Sequence, residues 1–405
     1  MIENAEVKSE SGSPTEVFLA FLKLGLTSFG GPIAHLAYFR SEIVERRRWV
    51  SDEQFGQLLA ICQFLPGPAS SQLGFTLGLL RAGSFGALAA FVAFTLPSVL
   101  LLVAFAAALP FLSGPVGEAV VHGLKLVACA VVADAVLGMS KKLCPDARRK
   151  AIAVLSAAAL LIASSAFAQL VVVVVAAVIG TLFLRAIAAS ESDSRIRIPY
   201  GPRTGSVLLA IFGGLLLGLP LIATGKPEIT SVAEAFYRAG ALVFGGGHVV
   251  LPLLQDSVVS TGWVAPEQFL AGYGASQAIP GPMFAFSAYL GAVLSPDDNT
   301  FLMAATALAF MFLPGFLLVA GVLPFWGAVS NNPTTGRAIA GINAAVVGLL
   351  GAALYNPIFT SGITNSADLA VALVAFSLLV VWRISPLIVL LWCVAASVSQ
   401  LWLFP

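Results

Sequence analysis

Two kinds of motif interrupt an otherwise apolar chain. F-G-G-P-I-A-H at 29–35 has a partner, F-G-G-G-H, at 244–248, and Q-F-L-P-G-P at 63–68 has a partner, Q-A-I-P-G-P, at 277–282. Proline removes a backbone donor and paired glycines lower helix stability, so each motif breaks the helix that carries it. A broken helix exposes the N–H groups of a new N-terminus, and their partial positive charge suits an anion. The chemistry on offer is therefore the holding of an anion by backbone. The candidates are Phe29, Gly30, Gly31, Pro32, Gln63, Pro66, Gly67 and Pro68, with Phe244, Gly245, Gly246, Gly247, Gln277, Pro280, Gly281 and Pro282. Any one of these motifs alone reads as a kink or a close helix contact. Four in register favour a binding site.

Ionisable residues within apolar segments add to the list, because charge at membrane depth is costly. Lys23 and Arg238 each stand about two turns before an F-G-G break, as substrate-facing cations or as side chains snorkelling to the surface. Glu118, His122 and Lys125 share one helical face. His35, Lys125, Asp134 and His248 are candidates for ion coupling, against plain readings as polar lining or as a structural Lys–Asp pair.

The chain of 405 residues is 10% charged and 59% hydrophobic, where a soluble domain carries roughly 25% charged. Lys plus Arg is 21 against 20 acids, so no basic excess exists to meet nucleic acid. Four scattered cysteines form no C-x-x-C pair, so neither a metal site nor a disulfide framework is expected, and no cofactor is. G-x-x-x-x-G-K-[ST] is absent, which removes ATP as the driver. What remains is a polytopic membrane protein in a lipid bilayer.

Apolar segments that could span fall near 16–39, 54–82, 84–112, 115–139, 150–168 and 169–189, then 204–224, then 232–254, 268–294, 301–325, 334–356, 366–382 and 385–403. That is six, one and six. W-V-S-D-E-Q-F at 49–55 matches W-V-A-P-E-Q-F at 263–269, an offset of 214, and the same offset joins the two P-G-P motifs. Phe21, Lys23, Gly25 and Phe29-Gly30-Gly31 map to Phe236, Arg238, Gly240 and Phe244-Gly245-Gly246 at offset 215, and Leu96-Pro97 to Leu313-Pro314 at offset 217. The chain is a duplication. The expected fold is all-α, with about 13 transmembrane segments, broken helices, and two homologous halves as inverted repeats. The expected organisation is a polar tail at 1–15, a first repeat at 16–189, a linker with one extra helix at 190–231, and a second repeat at 232–405.

With the N-terminus inside and thirteen crossings, thirteen Lys/Arg fall on the cytoplasmic side and six on the other, with Pro405 outside. Arg46-Arg47-Arg48 misfit. A first segment that breaks at Gly30-Gly31 and turns back would return them to the inside, at a cost in parity.

F-G-G-P-I-A-H-L-A-Y-F-R, E-R-R-R-W-V-S-D-E-Q-F and Q-F-L-P-G-P, with F-G-G-G-H-V-V-L-P-L-L and Q-A-I-P-G-P in the second half, resemble the chromate ion transporter family in its long, two-domain form. The resemblance covers essentially the whole chain. It implies a bacterial inner-membrane carrier that exports chromate and confers chromate resistance, with sulfate as the related oxyanion. It agrees with halves of opposite orientation. A carrier for sulfate or another anion is the alternative, and a homodimer is left open. A membrane-embedded phosphate-processing enzyme is a third reading, disfavoured because only Asp52, Glu53 and Glu267 approach the breaks, all at segment ends.

Overall fold

The structure is a computed structural model and describes residues 12–29, 31–112, 114–163, 166–184, 198–244, 247–294, 299–327 and 333–403. Gly30, Gly245 and Gly246 lie outside the described residues. Among those described, all regular structure is helical, with no strand.

Helix α1 (Pro14–Thr27) opens with proline in its first turn and Ser13 as N-cap, whose hydroxyl accepts the Glu16 N–H at 3.1 Å. The chain breaks after Thr27 and resumes as α2 (Gly31–Phe39), prolonged by a π-helical turn, Arg40–Arg46. Helix α3 (Asp52–Phe64) starts with a capping box between Ser51 and Gln54. It breaks at 65–68, the P-G-P motif, before α4 (Ala69–Ala108).

Helix α4 reverses inside its length. Gly83 has a φ of 63°, and a Cβ at Gly78 or Gly86 would collide with the other's carbonyl. Residues eight apart in a straight helix are about 12 Å apart, so the two limbs of α4 lie side by side.

The remaining elements are α5 (Pro115–Leu143), α6 (Ala147–Ile162), α7 (Ala166–Phe183), α8 (Pro202–Ile222) and α9 (Ile229–Leu242). Then come α10 (Val250–Val258), α11 (Pro266–Ser276), α12 (Phe286–Leu294) and α13 (Thr300–Val322). The chain ends with α14 (Pro333–Ala353), α15 (Ser366–Val380) and α16 (Pro386–Leu403).

The broken segments do not run straight through. Glu16, at the start of α1, takes Arg81 at 3.1 Å from the end of the first α4 limb and the Trp49 indole at 3.1 Å from beyond α2. Hence α1–α2 and α3 with the first limb of α4 are two hairpins whose ends meet at one end of the molecule. The second half repeats this. The Trp263 indole, beyond α10, donates to Gly225 O, before α9, at 3.3 Å. Tyr289 of α12 donates its hydroxyl to Gln268 O of α11 at 2.7 Å. The segments expected at 16–39, 54–82, 232–254 and 268–294 are broken as the glycines and prolines require, and each turns back at its break. Hydropathy registers the apolar length of such a segment and not its direction.

The halves interlock. The α6–α7 pair packs on α14 of the other half, where a Cβ on Gly341 would meet Ala176 O and one on Gly348 would meet Ala153 O. The α15–α16 pair packs likewise on α5, with Gly123 against the Val394 backbone. Among the described residues, five stretches are long and apolar enough to cross a membrane: Ala69–Phe111, Pro115–Leu143, Pro202–Ile222, Thr300–Phe325 and Pro333–Gly362. Large apolar side chains such as Ile162, Leu221 and Phe301 stand more than 80% exposed on the outside. Water would penalise that surface and lipid does not.

Candidate functional site

Each P-G-P loop is held by the break of the opposite half. Gly67 N–H donates to Val243 O at 2.7 Å, and Gly281 N–H donates to Ser28 O at 2.9 Å. Each loop also rests on the proline-kinked helix of the other half. Gln72 Nε2 donates to Pro66 O and to Gly315 O, both at 2.9 Å, while Ser98 Oγ donates to Pro280 O at 2.6 Å. Ser98 and Gly315 are repeat equivalents. The breaks thus meet in two crossed pairs, each P-G-P loop of one half against the glycine break of the other. Phe75 stacks on Phe316 with centroids 4.4 Å apart, and Phe91 packs on Phe312, closing the seam with aromatic surface. Gly67 and Gly281, at φ of 122° and 97°, occupy backbone conformations that suit glycine.

The two crossed contacts look alike, yet their surroundings differ. Around the first-half break, Ser28 Oγ, His35 Nδ1, Ser71 Oγ, Gln72 Oε1 and Thr95 Oγ1 are buried without a hydrogen-bond partner. Each of these residues is no more than 3% exposed. His35 lies beside the Ser28 backbone, and its ring meets Phe94 edge-on at 5.4 Å. Thr95 follows Phe94. Ser71 is one turn from Gly74, which faces the Phe21 and Phe39 rings, and His35 is one turn from Phe39. Ser71 and His35 therefore stand at one level, by the N-terminal ends of α4 and α2. An unpaired buried hydroxyl costs about 1–3 kcal/mol, so several together mark a place prepared for a polar occupant.

In the second half the same repeat positions read Val243, Val250, Ala285, Phe286 and Phe312, all part of one apolar core. The polar centre therefore belongs to the first half. Motif reading missed Ser28, Ser71, Gln72 and Thr95. A comparison of the two repeats position by position, polar against apolar, is the signal that marks them.

The other candidates sort differently. Gln63 is exposed, and Gln277 donates within its own helix end, to Tyr273 O at 3.3 Å. Phe29 is exposed and Phe244 half-buried; Pro66 is half-buried, and Pro68, Pro280 and Pro282 are buried. Gly31 opens α2 and Gly247 opens a 3-10 turn, and Pro32 follows Gly31 in the first turn of α2. Lys23 and Arg238 are not bare cations: Lys23 pairs with Glu42 at 2.9 Å and Arg238 with Glu234 at 2.7 Å. His248 Nδ1 is 2.8 Å from the Tyr273 hydroxyl. Lys125 and Asp134 are half-buried on α5, and their neighbour His122 meets the buried Asp368 of α15 at 2.9 Å, a partner the sequence did not suggest. Asp52 is tied to Arg40 at 2.7 Å.

Helices broken in pairs, crossed between interlocked repeats and lined by unpaired buried polar groups, define a duplicated membrane carrier. The chain belongs to the chromate transporter family, whose description matches residues 15–181 and 230–398 separately. It is 27% identical over 341 residues to the chromate transport protein of Pseudomonas aeruginosa, covering 83% of this chain and 79% of that one. It is 27% identical over 337 residues to the chromate transport protein of Cupriavidus metallidurans, covering 83% and 80%. No solved structure matches the chain.

Proposed function

We propose that this protein is a secondary carrier that exports chromate across the cytoplasmic membrane of a bacterium, and that the oxyanion is held at the first-half break. The observation that carries the reading is the group of unpaired donors there. Hydroxyls of Ser28, Ser71 and Thr95 stand beside the N-terminal ends of α2 and α4, and apolar residues replace them all in the second half. A tetrahedral oxyanion accepts hydrogen bonds on every face, so hydroxyls, backbone N–H groups and helix N-termini suit it without a metal or cofactor. Family membership and relatives named for chromate transport favour chromate. Sulfate has the same shape and charge and is the second reading.

The hairpins also suggest an orientation. Turning back at all four breaks removes four crossings, so the parity stays odd and the termini remain on opposite sides. Arg46, Arg47 and Arg48 then join Arg81, Lys141, Lys142, Arg148, Arg149, Lys150, Arg203 and Arg337 at the end that holds the start of α1, while Lys226 lies at the other. The bias toward positive charge inside makes the arginine-rich end cytoplasmic.

The test is uptake of labelled chromate into inverted vesicles, with excess sulfate as competitor. Ser71→Ala and Thr95→Val, each removing one donor of about 1–3 kcal/mol to a charged acceptor, should raise the half-saturating chromate concentration roughly tenfold. Their repeat partners are already apolar, so Phe312→Leu should leave it unchanged. Wild-type transport by both first-half variants would move the site elsewhere.

A further inference from the structure

One carboxylate at the cytoplasmic end of the first hairpin gathers three cations. Glu42 accepts Lys23 Nζ at 2.9 Å, Arg46 Nη1 at 2.8 and 2.9 Å, and Arg47 Nε at 2.7 Å. The carboxylate is buried, with only 6% of its side chain exposed, while Lys23 and Arg46 are 53% and 62% exposed above it. Glu16, alongside, takes Arg81 at 3.1 Å and lies 4.0 Å from Arg47. The Trp49 ring packs against both Arg47 and Arg81. Among the described residues, three cations thus meet the single Glu42 carboxylate, a balance of two positive charges that matches one divalent oxyanion.

The repeat supplies the comparison. Lys23 corresponds to Arg238, but Glu42 corresponds to Ser257. Arg238 keeps a partner on its own helix, Glu234, and borders a cavity shared with Gln169, Asp256, Ser257 and Leu349. Where the second half leaves room beside its cation, the first half fills the place with a carboxylate.

We propose that Lys23, Arg46 and Arg47 form a docking site for a divalent tetrahedral oxyanion at the cytoplasmic end, and that Glu42 occupies it as a built-in competing anion. This rests on the export reading above. A dianion brings twice the charge of the carboxylate to the same donors, and two arginine forks match its oxygens. Displaced from Lys23, Glu42 no longer ties the π turn after α2 to α1. Five residues, about 7.5 Å of helix, then separate Lys23 from Ser28 at the central site.

The experiment uses sulfate, which does not oxidise the protein, with the full chain purified in detergent. Glu42→Gln removes the competitor and keeps the shape, and should bind labelled sulfate at least tenfold more tightly than wild type. Adding Arg47→Gln should remove that gain. No gain in the folded Glu42→Gln protein overturns the proposal. A measurement on the unaltered chain stands beside it in case the variant does not fold. Sulfate should slow phenylglyoxal modification of Arg46 and Arg47, mapped by mass spectrometry, and chloride at equal ionic strength should not. Equal modification with and without sulfate overturns the proposal too. Chromate uptake into inverted vesicles separates the two readings. If wild type transports chromate and sulfate leaves the knot untouched, only the docking site falls. If wild type does not transport chromate, the export reading falls, whatever the knot binds.

Discussion

Gly281→Ala is the sharpest perturbation of the centre. The residue sits at φ 97°, and its N–H holds Ser28 O at 2.9 Å. A Cβ there would collide with Ser98 Oγ and stand 3.2 Å from Phe94 O. Two costs follow. An L-residue in left-handed backbone costs about 1–2 kcal/mol. Pushing Ser98 away breaks its 2.6 Å bond to Pro280 O and leaves a buried carbonyl unpaired, about 1–3 kcal/mol more. Gly262 provides the control, because its φ is 76° but nothing lies within 4 Å of its would-be Cβ. Gly262→Ala therefore carries the backbone cost alone. Thermal unfolding of the purified protein should place Gly281→Ala several degrees below Gly262→Ala, at about 2–4 °C per kcal/mol. Chromate uptake into inverted vesicles should fall for Gly281→Ala only. Equal melting shifts at the two positions would refute the crossed packing of loop on break.

Acid should loosen the knot around Glu42. Burial pushes the Glu42 carboxyl up, but hydrogen bonds from Lys23, Arg47 and Arg46 outweigh it and hold the group at about 2. Its folded value lies below the unfolded one, near 4.3. The stabilisation is therefore complete above that unfolded value and is lost as pH falls toward 2. Between pH 5 and 3 the melting temperature of wild type should drop more steeply than that of Glu42→Gln; parallel curves would dismiss the pairing. For the hairpins, single cysteines on a background lacking the four native ones report sidedness. Arg48→Cys and Ser84→Cys should both react with an impermeant maleimide from the cytoplasm, and Thr224→Cys and Thr261→Cys from outside. Labelling of Arg48→Cys and Ser84→Cys from opposite faces would restore straight crossings.

The duplication and the breaks were legible because glycine and proline act through the backbone, wherever tertiary context places them. Direction was not. An apolar segment of 24 residues has the same composition whether it continues past Gly31 or turns back there, and tertiary contacts such as those of Glu16 with Trp49 and Arg81 separate the two. The arginines after α2 were the one sequence signal for the turn. The repair they suggested appeared to break parity only because it was applied to one segment rather than four. Lys23 and Arg238 were legible as a conserved pair within the chain, but their acids were not. Glu42 lies 19 residues beyond Lys23, across a reversal, whereas Glu234 sits one turn before Arg238 on the same helix. The donors of the centre escaped because serine and threonine are ordinary in helices. They become informative only where the other half has valine, alanine or phenylalanine at the same place.

The make-up of that centre bears on what drives export. Chromate is mostly a dianion near neutral pH. Moving one charge through a membrane potential is worth about 2.3 kcal/mol per 100 mV, so a dianion leaving an inside-negative cell gains roughly twice that. At about 1.4 kcal/mol per decade, 100 mV supports a gradient of more than a thousandfold with no second ion. The hydroxyls proposed to hold the anion, on Ser28, Ser71 and Thr95, do not ionise, and among the described residues His35 is the one titratable side chain beside them. In inverted vesicles with pH equal on both sides, a valinomycin-clamped potassium potential, positive inside, should accelerate chromate uptake. A pH difference imposed at zero potential should not. The opposite pattern would refute an uncoupled carrier and return His35, Lys125, Asp134 and His248 to the role of proton carriers.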